Sequence, residues 1–536
     1  MTSRPHNGST CGFRRVSRVA GAAVAVWAIV LSSISASAEA APRPDFGACP
    51  DGAVTPDRGA ACAVLEVPLD YAEPGGPTIE LTVSRIAATG VSRGAIFANP
   101  GGPGGDALNF WAERVGVLPD ALYREFDLVA VQPRGLRWST PLDCGETKAT
   151  DPQRLSFTMR EDKAHGCADS PPGYRDTVTT ENTARDMDAV RAALGLRRVN
   201  FLGVSYGTYL GAVYATMFGA RVDRMVLDSN VNPDWVWTEE FAVQQVAIKR
   251  RLDDLFAWIA ENDAEYRLGG TALQVYRNWV RLVTAQGGGV YANLTPPPAS
   301  AADLPVALPE PLAEIARDGL SGASEQANRV ENLVRILHSS GAATQGPLLG
   351  ATVVAAYARA FWPRFASAMA DVDADPANVG RLQAMDRAVD PDATARSVFS
   401  AITCNENAVA PRPELVSDAL ATIASGGNVM DARADIVRSG KLCESWPPVA
   451  RPVPISGADL DTPPLLLQSR YDPMTEYRGG PALARAVDGS LVTVEGGDHG
   501  VFGRGNPAVD DAVVTYLRTG RVEITHAAEA PLPPRP

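Results

Sequence analysis

Histidine is scarce in this chain, with five residues in 536: His6, His165, His338, His499 and His526. No H-x-x-x-H or C-x-x-C spacing occurs, so a zinc-type ligand set is missing and no metal is expected. Lysine is scarcer still (Lys148, Lys163, Lys249 and Lys441), and arginine carries nearly all the positive charge. The formal net charge of −13 argues against nucleic acid or an anionic membrane surface as a partner. After the first forty residues no apolar run is long enough to span a bilayer. What remains is the composition of a large globular protein, 45% hydrophobic and 21% charged.

The N-terminus reads as an export signal. Arg14, Arg15 and Arg18 form a basic stretch, Val19 to Ile34 is apolar, and Ala36-Ser37-Ala38 is a small-residue cleavage site. Removal of residues 1–38 leaves a protein expected to be extracellular, free or retained at the cell surface, with no membrane association after processing. Cysteine usage agrees. Cys11 leaves with the signal, and six remain. They fall into sequence-local couples, so the expected disulfides are Cys49–Cys62, Cys144–Cys167 and Cys404–Cys443. Each closes a modest loop worth about 3 kcal/mol.

Short β-branched and aliphatic runs mark strands at Thr78 to Ile86, Ala95 to Ala98, Asp127 to Val131, Val199 to Val204 and Met225 to Asp228. A helical pattern, Glu181 to Leu194, lies between two of them. Such alternation implies an α/β fold with a doubly wound, mostly parallel sheet. From about Trp235 the pattern turns helical, most clearly at Phe241 to Ile259, Ser324 to Leu337 and Gly350 to Met369. Strand signals return at Pro464 to Gln468 and Leu491 to Val494, before a helix at Ala508 to Leu517. The expected organisation is a core in two parts, 45–234 and 401–522, with a helical cap at 235–400. The cap should lie over the carboxyl edge of the sheet, where open α/β sheets bind ligands. Residues 523–536, rich in Pro and Ala from His526 on, are expected to be a disordered tail.

One pentapeptide carries chemistry. Gly203-Val204-Ser205-Tyr206-Gly207 follows an apolar strand and precedes a helical stretch. A G-x-S-x-G in that setting exposes a serine hydroxyl on a sharp elbow. The hydroxyl needs a base, an acid to orient the base, and donors for the oxyanion. His6 is in the signal, His526 in the tail, His165 beside Cys167, and His338 at the end of a cap helix. His499 remains, on the glycine-rich loop Glu495-Gly496-Gly497-Asp498-His499-Gly500 after the last strand signal. Asp472, following the strand Pro464 to Gln468, is the favoured acid and Asp228 its rival. Asp498 adjoins His499, but neighbouring loop side chains seldom face each other. Thr475 either bonds Asp472 or caps the turn. The oxyanion donors are expected to be the amides of Tyr206 and Gly102, the latter in Asn99-Pro100-Gly101-Gly102-Pro103-Gly104-Gly105. That run fits neither common nucleotide-binding pattern, and no cofactor is expected.

Together these segments resemble the exported tripeptidyl aminopeptidase family of actinobacteria, in the proline-iminopeptidase branch of the α/β-hydrolases. The similarity lies in Asn99 to Gly105, Gly203 to Gly211, Ser469 to Thr475, Gly497 to Gly500 and the cysteine-bearing stretches. It implies an α/β-hydrolase fold, no cofactor, and release of short peptides from free N-termini through an acyl-enzyme. Carboxylates near the site would then meet the substrate's α-amine, because a buried ammonium needs a counter-charge. Glu406 is the first candidate, with Glu239 and Glu240 at the start of the cap. An exported carboxylesterase or lipase would use the same triad, and a non-catalytic binding protein could keep the same fold. Asp106, Gln132, Leu136-Arg137-Trp138 and Glu476 depart from the family pattern near the expected site rim.

Overall fold

A computed structural model describes residues 44–55, 58–144, 167, 170–289, 291–304, 308–338, 346–387, 392–444 and 446–532. The expected export segment and His165 lie outside the described residues.

Nine strands among them form one sheet, in the order β1-β2-β4-β3-β5-β6-β7-β8-β9. They are β1 (Ala60–Pro68), β2 (Thr78–Ile86), β3 (Ala95–Asn99), β4 (Asp127–Val131), β5 (Val199–Val204), β6 (Val222–Asp228), β7 (Leu465–Ser469), β8 (Ser490–Glu495) and β9 (His526–Ala528). β2 runs antiparallel to both β1 and β4, and every later pairing is parallel.

Both faces of this sheet are covered. Phe97, Phe201 and Leu227 pack with helices α1 (Thr180–Ala193) and α2 (Tyr206–Phe218) on one side. Ile96, Ala98, Leu202 and Val226 pack on the other side with Val509 and Val513 of a helix near the chain's end. Parallel strands buried on both faces read as unbroken apolar runs, which is why β3 and β7 were visible in the sequence. β1, at the sheet edge, mixes exposed and buried positions, and its run Ala60 to Leu65 opens on Ala and Cys rather than on the β-branched residues that mark a strand.

The helical block between β6 and β7 has its own core. It includes α3 (Thr238–Glu261), α4 (Ala272–Ala285), α5 (Glu310–His338), α6 (Pro347–Tyr357) and α7 (Trp362–Ala374). Leu255, Phe256, Trp279, Phe365 and Met369 form its centre. Each such fully buried side chain contributes about 1.5–3 kcal/mol.

Several expectations change here. α5 starts fourteen residues before Ser324, in a stretch where Gly319 and Gly322 mask the helical pattern. The expected helix Gly350 to Met369 is two helices, with Ala358 extended between them. Pro363 explains the break, because it has no N–H and its ring would clash with the carbonyl four residues back. Helices also continue past residue 400: α8 (Ala393–Glu406) packs on the sheet side through Val398, Ala401 and Ile402. α9 (Val429–Arg438) returns to the cap through Val429 and Met430. The expected disordered tail, 523–536, contains a strand: β9 pairs with β8, covers its backbone groups and becomes the last strand of the sheet. The disulfides Cys49–Cys62, Cys144–Cys167 and Cys404–Cys443 form as expected.

Candidate active site

The register of the sheet brings five strand ends level. Asn99 pairs with Gly203, Val204 with Asp228, Asp228 with Leu467, and Ser469 with Val494. Ser205, Asp228, Asp472 and His499 all lie at or just beyond these carboxyl ends.

Ser205 sits between β5 and α2 with φ 58° and ψ −126°, a region costing a non-glycine residue about 1–3 kcal/mol. The surroundings hold it there. Its N–H donates to the Asp228 carbonyl at 3.0 Å, and its own carbonyl accepts from the Thr208 amide at 2.8 Å and hydroxyl at 2.6 Å. Both flanking glycines are sterically required. A Cβ on Gly203 would strike the carbonyl of Gly207, and one on Gly207 would strike the carbonyl of Asn99.

The glycine-rich loop after β3 lies directly against this elbow. A Cβ on Gly101 would lie 2.5 Å from the Val204 carbonyl oxygen and 3.1 Å from the Tyr206 amide nitrogen. The loop is bent back by Gly101 N–H donating to Asn99 Oδ1 and by Gly105 N–H donating to the Gly101 carbonyl, each at 3.0 Å. The amides of Gly102 and Tyr206 have no acceptor among the described residues. Two free donors beside a nucleophile can receive a developing oxyanion.

Asp472 is fully buried and faces His499. Its Oδ1 and Oδ2 stand 3.0 and 3.2 Å from His499 Nδ1. Oδ1 also accepts from the amides of Met474 (2.8 Å) and Thr475 (2.9 Å), and Oδ2 from the Thr475 hydroxyl (3.1 Å). Thus the Asp472 carboxylate caps the turn, and the Thr475 hydroxyl bonds Asp472 rather than the turn's backbone. These donors fix the carboxylate's plane, and the carboxylate then fixes the imidazole's orientation.

Asp228 does other work. Its carboxylate accepts from the amides of Val501 (3.0 and 2.9 Å) and Phe502 (2.9 Å), while Ser229 Oγ accepts from Gly500 N–H at 2.7 Å. It anchors the chain just after His499, and its carbonyl anchors Ser205. Burial pushes its carboxyl up, against the opposing pull of those amides and of His499. Sequence reasoning weighed Asp228 only as a rival acid; its place at the end of a strand beside the elbow was the available signal.

The three glutamates differ sharply. Glu406 accepts from the Thr180 amide, the Thr180 hydroxyl (3.1 Å) and the Trp237 indole (3.1 Å), all in the buried core. Burial raises its carboxyl to about 7 despite those donors. Glu239 makes a two-pronged pair with Arg438 at 2.8 and 2.9 Å, which lowers its carboxyl. Glu240 is buried, accepts from the Asn232 amide at 3.3 Å through Oε2, and has no partner for Oε1 among the described residues. Burial pushes it well above the usual range, and nearby Asp472 and Glu476 add to the rise. Of the three, Glu240 combines an unpartnered carboxylate oxygen among the described residues with closeness to Asp472.

Parallel sheet, serine elbow and Asp–His pair define an α/β-hydrolase. Residues 94–269 match the family model described as alpha/beta hydrolase fold, and 429–528 the one described as TAP-like protein. The tripeptidyl aminopeptidase of Streptomyces lividans is 32% identical over 512 residues, covering 89% of this chain and 84% of that protein. The chain belongs to this tripeptidyl aminopeptidase family. Serine protease Hip1 of Mycobacterium tuberculosis is 28% identical, covering 86% of each chain. A carboxylesterase B of the same organism is 29% identical, covering 88% of this chain and 87% of its own.

Proposed function

We propose that this protein is an exported serine exopeptidase that releases short peptides, tripeptides above all, from free N-termini. The observation that carries the reading is the Asp472–His499 pair, at 3.0 Å, with His499 on a loop anchored by Asp228, the residue whose carbonyl also holds the strained Ser205. Ser205 Oγ attacks the scissile carbonyl while His499 Nε2 takes its proton. Asp472 holds Nδ1–H and stabilises the imidazolium. The amides of Gly102 and Tyr206 receive the oxyanion. His499 then protonates the leaving amine, and water, deprotonated by the same ring, releases the peptide from Ser205.

Glu240 is the counter-charge for the substrate's α-ammonium. An ammonium brought to its free oxygen offsets the burial, and the smaller repulsion from Asp472 and Glu476, that disfavour its ionisation when the site is empty. The three disulfides support export, and no described helix is long and apolar enough to cross a membrane.

Fluorophosphonate labelling followed by a digest of mixed peptides tests this. The expected result is label on Ser205, none on Ser205→Ala, and tripeptides among the products. Absence of label overturns the serine mechanism. Labelling with ester turnover but no N-terminal peptide release overturns the peptidase and leaves the esterase.

A further inference from the structure

We propose that Arg251 of the cap, with Asp498 and Glu529, is a latch that positions the His499 loop. Cap seating and the C-terminal segment then govern whether the base is in place. The proposal rests on His499 being the catalytic base.

The His499 loop is held from two directions. On the sheet side are the anchors at Asp228 and Ser229, and Ser469 Oγ donates to the Asp498 carbonyl at 2.6 Å. On the other side partners come from the cap and from the segment after β9, while Arg504, just beyond the loop, donates to the carbonyls of His499 at 3.1 Å and Gly500 at 2.9 Å. His499 N–H donates to the Tyr357 carbonyl at 2.8 Å, and the Tyr357 ring stands edge-on to the imidazole at 5.6 Å between centroids. Asp498 Oδ1 accepts from the Arg359 amide at 2.6 Å and from the Arg251 guanidinium at 2.7 Å. Glu529 accepts from the Gly497 amide at 3.2 Å and from Arg359 Nη1 at 2.8 Å, and lies 3.7 Å from Arg251.

The helix break at Ala358 acquires a role in this arrangement. Tyr357 C=O and Arg359 N–H flank the extended residue, and both bond the histidine loop. The glycines of Glu495-Gly496-Gly497 have a matching explanation. A Cβ on Gly497 would strike the Arg251 guanidinium, and one on Gly496 would come within 2.5 Å of Glu529 Cγ. Arg251 itself is 3% exposed and covers the Trp362 ring at 4.5 Å. A cation so buried is held by its partners. Removing one leaves the other charge uncompensated, which favours movement of the loop that carries it.

The test compares Arg251→Met, Arg251→Lys and Glu529→Gln on a chromogenic tripeptide substrate, with melting temperature recorded for each. Arg251→Met is expected to lower kcat about tenfold to 100-fold, as misplacing a catalytic group does, with KM little changed. Arg251→Lys, which keeps the charge, should recover part of the loss. Glu529, at 21% exposure, tolerates substitution more readily, so Glu529→Gln carries the test if Arg251→Met does not fold. Folded variants with unchanged kcat overturn the latch, as does a loss confined to KM. Fluorophosphonate labelling of the unmodified protein separates the two ideas. If Ser205 is not labelled, the triad reading fails; if it is labelled and the variants keep wild-type kcat, only the latch fails.

Discussion

An added Cβ on Gly101 would stand 2.8 Å from the Cβ of Ser205. The oxyanion loop and the nucleophile therefore touch backbone to backbone, and Gly101 also has φ +101°, which a side chain disfavours. Gly101→Ala should separate the two segments. The expected outcome is a kcat loss of about 100-fold with a stability loss of about 1–3 kcal/mol, read by steady-state kinetics and urea unfolding.

Asp472 and Asp228 are both buried carboxylates beside His499, yet they should fail differently. Asp472→Asn removes the acceptor that holds Nδ1–H and is expected to lower kcat about 10⁴-fold at neutral pH. Asp228→Asn loosens the amides of Val501 and Phe502 and is expected to lower the melting temperature with a smaller loss in kcat. Paired kinetics and thermal melts check the contrast.

Glu240→Gln should raise KM for substrates with a free α-amine and leave KM for N-acetylated ester substrates unchanged, because only the former bring an ammonium to Oε1. Equal effects on both substrates would remove Glu240 from the amine site.

Glu406 predicts a pH dependence of stability. Its folded value is raised to about 7, so the folded state binds a proton more tightly than the unfolded chain does. Stability is therefore lost as pH rises from the usual carboxyl range through about 7, by at most about 1.4 kcal/mol per pH unit for one proton. Glu406→Gln should flatten that part of the curve, measured by urea unfolding from pH 4 to 8.

The Cys404–Cys443 bond closes a separation of 39 residues between α8 and the segment leading back to β7. Replacing both cysteines by alanine should cost about 4 kcal/mol in the chain-entropy estimate, read as a lower unfolding midpoint.

Much of this site was legible because its signals are local. An apolar strand, a G-x-S-x-G and a helix carry the elbow within a dozen residues, and rare histidine left one base on a glycine loop. Cysteine couples were close in sequence, so their pairing followed. Less local features escaped. β1 and β9 lie at the two sheet edges; β1 opens on Ala and Cys rather than β-branched residues, and β9 is three residues long. Trp362-Pro363 marked the helix break, but the apolar residues on either side of it suggested one continuous helix. The glutamates looked alike in sequence because desolvation and partners, which separate Glu406, Glu239 and Glu240, come from distant segments.

Residue order alone specified the doubly wound sheet and pointed to Ser205, Asp472 and His499 as candidates, since backbone sterics and apolar periodicity act over a few neighbours. Three-dimensional packing decided which carboxylate keeps a free oxygen, that Asp228 anchors the histidine loop, and that Arg251 and Glu529 reach it from the cap and the tail. Hydrogen bonds and charge pairs form between segments hundreds of positions apart, 278 for Arg251 and Glu529 and 393 for Glu125 and Arg518, and no short stretch of chain encodes them.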